Sequence, residues 1–263
     1  MIRVAINGAA GRMGRRLLAL GSEDSNLEIV CAAENKGNPE IGSDADQLAG
    51  SSGLNLKVVA GLQNEPHVVI DFSTPEGAES AIKYCAENRV ALVMASTGLE
   101  ESTIANLKSA AESIPICWAP SMSLAVNLTM NLVKRASQAL NQHSTGVDVE
   151  IIETHHRFKA DAPSGTALKF GEIVAAEMHQ TNHQHGREGA VGARPANEIG
   201  YHAIRSGDDP GQHTIQFGML GERIAITVAA SNRDCYALGA LQAAKFLENK
   251  SPGLYTMNDV LGL

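Results

Sequence analysis

Residues 153 to 166 read Glu153-Thr154-His155-His156-Arg157-Phe158-Lys159-Ala160-Asp161-Ala162-Pro163-Ser164-Gly165-Thr166. Two adjacent histidines, an arginine and a lysine within five residues form a local cationic patch in a chain of net charge −8. Such a patch suits a small dianion, and a histidine supplies a proton near neutral pH. The triplet Ser164-Gly165-Thr166 after Pro163 adds hydroxyls and free N–H groups at a helix start. An ordinary solvated strand end with a serine cap accounts well for Arg157. It accounts less well for two histidines, a lysine and the capping triplet in one connection.

The second candidate is Gly8-Ala9-Ala10-Gly11-Arg12-Met13-Gly14, a GxxGxxG loop between a strand and a helix. Glycines there let the chain turn sharply and let a pyrophosphate approach the N–H groups of the helix start. Alone the spacing is also that of a simple tight turn. Glu34, 20 residues after Gly14 at the end of the next strand, adds an acceptor for an adenosine ribose, and together they point to a nicotinamide dinucleotide. Arg12 in the loop can reach phosphate, and Asn35-Lys36 offers a donor and a cation for a 2′-phosphate. An acid beside a lysine does not choose between NADH and NADPH. Ala95-Ser96-Thr97-Gly98 and Ala119-Pro120-Ser121-Met122 follow later strands and would share the same crevice in a doubly wound sheet, where ligands collect at strand carboxyl ends.

These groups need a scaffold. Over the first 120 residues a short apolar run, a Gly/Ser/Asn-rich turn and an amphipathic stretch recur, which is βαβ grammar. The expected strands are Ile2 to Asn7, Leu27 to Ala33, Leu56 to Ala60, His67 to Phe72, Val90 to Ala95 and Pro115 to Trp118, mostly continuous apolar runs as in buried parallel sheets. Asn35 to Gly53 is a polar excursion with one short helical turn. After Ser121, Leu124, Leu128, Leu132, Ala136 and Leu140 recur every fourth residue and predict a helix with one apolar stripe. Val147 to Ile151, Thr214 to Phe217 and Ile224 to Val228 alternate with period two, as strands of an open antiparallel or mixed sheet do. A final amphipathic helix is expected over Tyr236 to Glu248.

With 263 residues, 44% apolar and 19% charged, the chain is an ordinary globular protein of one large or two modest domains. The acidic balance argues against a non-specific nucleic-acid binder. No apolar run approaches the ~20 residues that span a bilayer, and Met1 runs straight into Ile2 without a signal segment, so no membrane association is expected. The cysteines, Cys31, Cys85, Cys117 and Cys235, are far apart and read as reduced thiols of a cytoplasmic protein. Eight of nine histidines fall between His143 and His213. Of these, His179, His183 and His185 lack an HExxH pattern and any carboxylate or cysteine partner, and no metal site is expected.

The segment from Glu153 to Ala167 resembles the E-x-H-H-x-x-K-x-D-A-P-S-G-T-A signature of the 4-hydroxy-tetrahydrodipicolinate reductase (dihydrodipicolinate reductase) family. Gly8 to Gly14 resembles that family's GxxGRMG loop, Asp71-Phe72 with Pro75-Glu76-Gly77 its DF-x-x-PEG turn, and Ser96-Thr97-Gly98 its TTG turn. Ile199-Gly200, Arg205-Ser206-Gly207, Gly211 to Thr214 and Gly221-Glu222-Arg223 are similar to its later blocks. The resemblance implies an α/β protein with a Rossmann-like doubly wound parallel-sheet domain plus an α+β substrate domain with an open mixed sheet. Residues 1–121 and 234–263 would form the first, and 122–233 the second, which also carries oligomerisation. It implies NADH and/or NADPH as cofactor, a small dicarboxylate substrate, a homotetramer, and a reductase of lysine and diaminopimelate biosynthesis. It places the proton donor at His155 and a second catalytic group at Lys159. Substrate contacts would come from His156, Ser164, Gly165 and Thr166, and cofactor contacts from Gly8, Ala9, Ala10, Gly11, Arg12, Met13, Glu34, Ala95, Ser96, Thr97, Ala119, Pro120, Ser121 and Met122. Two departures stand out: Asn35 where NADPH-preferring members often carry arginine, and Ala119 to Met122 where an aromatic-ended A-x-N-[FY] is usual. Other readings of the residues are a semialdehyde or amino-acid dehydrogenase, which needs no HHxxK-SGT cluster, a non-catalytic nucleotide sensor, and a histidine metalloprotein.

Overall fold

The computed structural model describes residues Met1–Leu263, and the chain divides into two compact units, Met1–Leu124 with Arg233–Leu263 and Ala125–Asn232. The first unit holds β1 (Ile2–Asn7), α1 (Arg12–Ser22), β2 (Leu27–Glu34), α2 (Ala45–Ala49), β3 (Val58–Ala60), β4 (Val68–Asp71), α3 (Pro75–Asn88), β5 (Ala91–Met94), α4 (Glu101–Ala110) and β6 (Pro115–Trp118). The second comprises α5 (Leu124–Leu140, all but its first residue), β7 (Asp148–His155), α6 (Gly165–Met178), β8 (Asn182–His185), β9 (Glu198–Arg205), β10 (Gln212–Met219) and β11 (Glu222–Ala229). The chain then returns to the first unit as α7 (Asp234–Leu247), β12 (Gly253–Tyr255) and α8 (Met257–Leu261).

All seven strands of the first sheet are parallel, in the order β12-β6-β5-β4-β1-β2-β3. Alternate residues of the buried strands feed two cores, as a sheet covered on both faces requires. Val4, Ile6, Ile70 and Val93 pack with Leu17 and Leu18 of α1 and Ala240, Leu241 and Leu247 of α7. On the other face Ala5, Val69, Leu92 and Met94 pack with Ala81, Ile82 and Cys85 of α3 and Leu107 of α4. Burying an aliphatic side chain of this kind contributes roughly 1.5 to 3 kcal/mol against exposure, so these two layers fix the strand ends that carry the loops. Chain reversal is set locally: Thr74 Oγ1 accepts the Gly77 N–H at 3.2 Å and Pro75 opens α3, an N-cap followed by proline.

The second sheet is mixed, in the order β11-β10-β7-β9-β8. β10 runs antiparallel to β7 and β11, whereas β9 runs parallel to β7 and β8. Its covered face buries Val149, Ile151, Ile215, Phe217 and Tyr201 against Phe170 and Val174 of α6 and Val133 of α5. β9 is threaded through tight places on both faces. A Cβ on Gly200 would lie 1.9 Å from Glu150 Oε2, and a Cβ on Gly171 of α6 would lie 1.7 Å from the Tyr201 hydroxyl. Glu150 fills the space at Gly200 as an ion-pair hub, bound by Arg187 at 2.7 Å, Arg194 at 3.0 Å and His202 at 2.7 Å. Burial works to raise its carboxyl, but the hydrogen bonds from Arg187, His202 and Arg194 outweigh it and hold Glu150 down at about 2.

One sequence expectation needs correction, and two stretches given no element from sequence take form. In α5 the buried residues are Val126, Thr129, Val133 and Ser137, while Leu128 and Leu132 are exposed. The polar stretch around His183 forms the edge strand β8, paired on one side by β9. The tail contributes β12 to the parallel sheet and the capped helix α8. No helix of the protein is long and apolar enough to cross a membrane, and the four cysteines are free thiols.

Candidate active site

In the first unit, the sequence-predicted residues lie at the carboxyl ends of adjacent strands. Gly8 follows β1 with φ +81°, and a Cβ there would meet the Phe72 carbonyl oxygen at 2.6 Å. A Cβ on Gly14 would stand 2.1 Å from the Gly8 carbonyl oxygen, so only glycine lets α1 start this close to the loop. Gly11 caps α1 without any side-chain hydrogen bond, which leaves the helix start open to an anion. Glu34 closes β2 and ties the loop down: its Oε1 accepts the Ala10 N–H at 2.9 Å and its Oε2 accepts the Asn35 N–H at 3.1 Å. Gly8, Gly11, Glu34, Lys36 and Tyr84 line a cavity of about 830 Å³. Arg12 is exposed and Met13 half-buried, whereas the Ala9 and Met122 side chains belong to the core.

The turns after β5 and β6 complete this edge. Ala95, Ser96 and Ala119 are buried, while Thr97 and Pro120 are exposed and Ser121 is half-buried. Beneath them sits a network that sequence reading missed. Asp71, fully buried, accepts hydrogen bonds from Asn7 Nδ2, Ser73 Oγ and Ser96 Oγ, each at 2.6 Å. Burial pushes its carboxyl up despite these three donors. The Ser96 hydroxyl also accepts the Ser73 N–H at 3.0 Å, linking the ends of β4 and β5. A buried acid at a strand end was the available signal.

In the second unit, His155 ends β7, and His156, Lys159, Ser164, Gly165 and Thr166 follow on the connection to α6. The period-two alternation of β7 turns Ile151, Glu153 and His155 to the same face, where all three are buried. His155 Nδ1 contacts Glu153 Oε2, and its Nε2 lies against Gly211, whose added Cβ would come within 2.9 Å. Glu153, only 1% exposed, also accepts the Ser164 N–H at 3.1 Å and both terminal nitrogens of Arg205, at 2.8 and 2.9 Å. Burial works to raise the Glu153 carboxyl, but the hydrogen bonds from Arg205 and His155 outweigh it and hold it below its ordinary value. Lys159 Nζ pairs with Asp161 Oδ1 at 2.8 Å, and His156 Nδ1 is buried without a hydrogen-bond partner.

Ser164 is the N-cap of α6: its Oγ accepts the Ala167 N–H at 3.2 Å. The N–H groups of Gly165 and Thr166 precede that bond at a helix start, a geometry suited to a carboxylate. The same Ser164 hydroxyl lies 2.9 Å from Nε2 of His213, a buried imidazole on β10 set edge-on to His155 with ring centroids 5.1 Å apart. Burial, and after it the positive charge of His155, push His213 down to about 4. His213 is therefore neutral near pH 7, and its Nε2 shares a hydrogen bond with the Ser164 hydroxyl.

An unfolded histidine titrates near 6.5, so between about pH 6.5 and 4 the unfolded chain takes up a proton that folded His213 refuses. Stability contributed by this residue is thus present above that window and falls as pH drops through it, by up to about 3 kcal/mol. Urea unfolding near pH 7 and near pH 4.5 checks this. The loss in wild type should exceed that in His213→Gln, and equal losses would refute the assignment.

Comparison with known proteins adds relatives across the whole chain. The family model described as dihydrodipicolinate reductase, N-terminus, matches residues 2–122, and its C-terminus counterpart matches residues 125–261. The chain is 52% identical over 270 residues to the 4-hydroxy-tetrahydrodipicolinate reductase of Rhodopirellula baltica, covering 100% of this chain and 96% of that protein. It is 45% identical over 267 residues to that of Alkalilimnicola ehrlichii, covering 99% of each. The dipicolinate-bound dihydrodipicolinate reductase structure from Paenisporosarcina sp. TG-14 superposes with a TM-score of 0.77 at 25% identity, covering 97% of each chain.

Proposed function

This chain belongs to the dihydrodipicolinate reductase family, and from that premise we propose that His155 is the proton donor of its reaction and Lys159 a second catalytic group. The enzyme is an NAD(P)H-dependent oxidoreductase that reduces 4-hydroxy-tetrahydrodipicolinate to tetrahydrodipicolinate in lysine and diaminopimelate biosynthesis. One observation carries the residue assignment: a single connection from β7 to α6 bears a buried histidine with its Nδ1 held by a carboxylate, a lysine, and an open helix N-terminus.

The unit formed by Met1–Leu124 and Arg233–Leu263 is the coenzyme unit in this reading, and Ala125–Asn232 the substrate unit. The residues of the first suit a dinucleotide: glycines where a Cβ would strike backbone, an uncapped helix start, and Glu34 at the cavity. Gly8 to Met13 would hold the pyrophosphate, Glu34 the adenosine ribose, and Ala95 to Thr97 with Ala119 to Met122 the nicotinamide end. Bound there, the reduced nicotinamide supplies a hydride to the substrate ring.

His155 supplies the proton from Nε2, since Nδ1 is engaged by Glu153. Lys159 sets a positive charge near the substrate, either to stabilise developing negative charge or to help expel the hydroxyl. His156, Ser164, Gly165 and Thr166 hold substrate carboxylates at the α6 start. The protein acts in the cytoplasm as a homotetramer built on the open face of the second sheet, where Thr214, Gln216, Ala225 and Thr227 stand opposite α5 and α6.

NADH should serve at least as readily as NADPH. Glu34 favours a free 2′-hydroxyl, while Asn35 carries no charge to grip a 2′-phosphate and leaves Lys36 and Arg12 to compensate. An oxidation assay of both coenzymes with freshly generated 4-hydroxy-tetrahydrodipicolinate tests the reaction and the preference together. A kcat/KM ratio above roughly 100-fold for NADPH, about 2.7 kcal/mol, would contradict this view of the pocket.

A further inference from the structure

We infer that Glu153 and Arg205 act as a positioning pair for His155, Glu153 fixing which ring nitrogen exchanges the proton and Arg205 tempering the carboxylate's hold on it. The inference rests on His155 as the proton donor. An ionised carboxylate only accepts hydrogen bonds, so the contact between Glu153 Oε2 and His155 Nδ1 places a proton on Nδ1. Exchange is thereby confined to Nε2, the atom that lies against Gly211.

A buried carboxylate with no other partner would stabilise the imidazolium so strongly that it became a poor acid. Glu153 is not left that way. Arg205 grips both of its oxygens, at 2.8 and 2.9 Å, and the Ser164 N–H occupies Oε1 at 3.1 Å. The parallel register of β7 and β9 sets His155 opposite Arg205, which brings the guanidinium to the carboxylate two residues back. Arg205 is itself anchored by the Asp161 carbonyl at 2.7 Å.

The remaining charged and titratable groups around His155 come from every neighbouring element. His213 on β10 stands edge-on and neutral, its Nε2 taken by Ser164. Lys159 is paired with Asp161 on the connection to α6, and Asp209 in the β9–β10 turn accepts the Gly211 N–H. His156 follows His155 and anchors its own N–H on the Asp209 carbonyl. Glu153 and Arg205 are the pair that bears on the ring through its Nδ1.

The experiment is a pH titration of the ring nitrogens of His155 by NMR on the full-length protein, paired with kcat/KM profiles, for Glu153→Gln and Arg205→Gln. A general acid is active while protonated, so its titration sets the alkaline limb. Glu153→Gln should move the His155 midpoint and that limb to lower pH by roughly 1 to 3 units, and Arg205→Gln should move both to higher pH. If Glu153→Gln does not fold, Glu153→Asp, which withdraws the charge by one methylene, must still lower the midpoint. A purely structural ion pair would reduce folded protein and leave the midpoint in place. An unmoved midpoint, or shifts of the same sign in both variants, overturns the inference. If the midpoint moves as stated while the kinetic limb stays, the pair stands and His155 loses its role as proton donor.

Discussion

Replacing His155 by glutamine is expected to lower kcat by roughly 10²- to 10⁴-fold, the contribution of a positioned general acid, while leaving coenzyme affinity unchanged. Glutamine approximates the polar reach of the ring but cannot release a proton, so the variant isolates the chemical role. His155 is buried at the end of β7 and its neighbours are held by their own bonds: Glu153 by Arg205, and Ser164 by the α6 cap. The fold should therefore persist. Coenzyme affinity is read by nucleotide fluorescence, since the residues proposed to hold the nucleotide lie in the other unit. Turnover within tenfold of wild type would remove His155 from its role even with the reductase activity intact.

For Lys159→Ala the expectation is a loss of kcat of roughly 10²- to 10³-fold, the range for removing one electrostatic donor from a reacting centre. Its ammonium is paired with the exposed Asp161 at 2.8 Å, and that pairing lowers the Asp161 carboxyl. Exposed pairs of this kind contribute little stability, so the loss should appear in catalysis rather than in folding. Lys159→Met keeps most of the stem and should lose as much as alanine. If methionine restored turnover, the stem and not the charge would be the functional part.

Much of the candidate site was legible because its residues follow one another in sequence. Gly8 to Gly14 and His155 to Thr166 each follow one strand-to-helix connection, and Glu34 closes the next strand, so spacing and position coincide. In the structure the alternation of β7 runs past Ile151 and sets Glu153 on the same face as His155. Arg205 was different: only the parallel pairing of β9 with β7 brings it to Glu153, and nothing in its local sequence announces that. His213 likewise reaches the site through the antiparallel register that sets it opposite Glu153.

The misread elements have physical causes. A repeat of four advances 400° on a helix, so the row turns as it climbs: Ala136 and Leu140 reach the packed face, whereas Leu128 and Leu132 do not. The true stripe was masked by Thr129, which satisfies its hydroxyl on the Ala125 carbonyl at 2.8 Å, and by Ser137. β9 showed no alternation because its first four residues are buried on both faces. β8, an edge strand with three exposed residues of four, kept the composition of a loop.

The two tight places along β9 constrain how this sequence can change over time. At Gly200 the missing side chain is matched by the carboxylate of Glu150, and at Tyr201 the extra hydroxyl is matched by the missing side chain of Gly171. Each is a volume exchanged between two distant positions, so enlarging either glycine alone strikes an occupied space. Drift at these sites is open only to paired replacements, one residue growing as the other shrinks. Positions 150 with 200, and 171 with 201, should then vary together or not at all, which couples two stretches of chain that share no chemistry of the reaction.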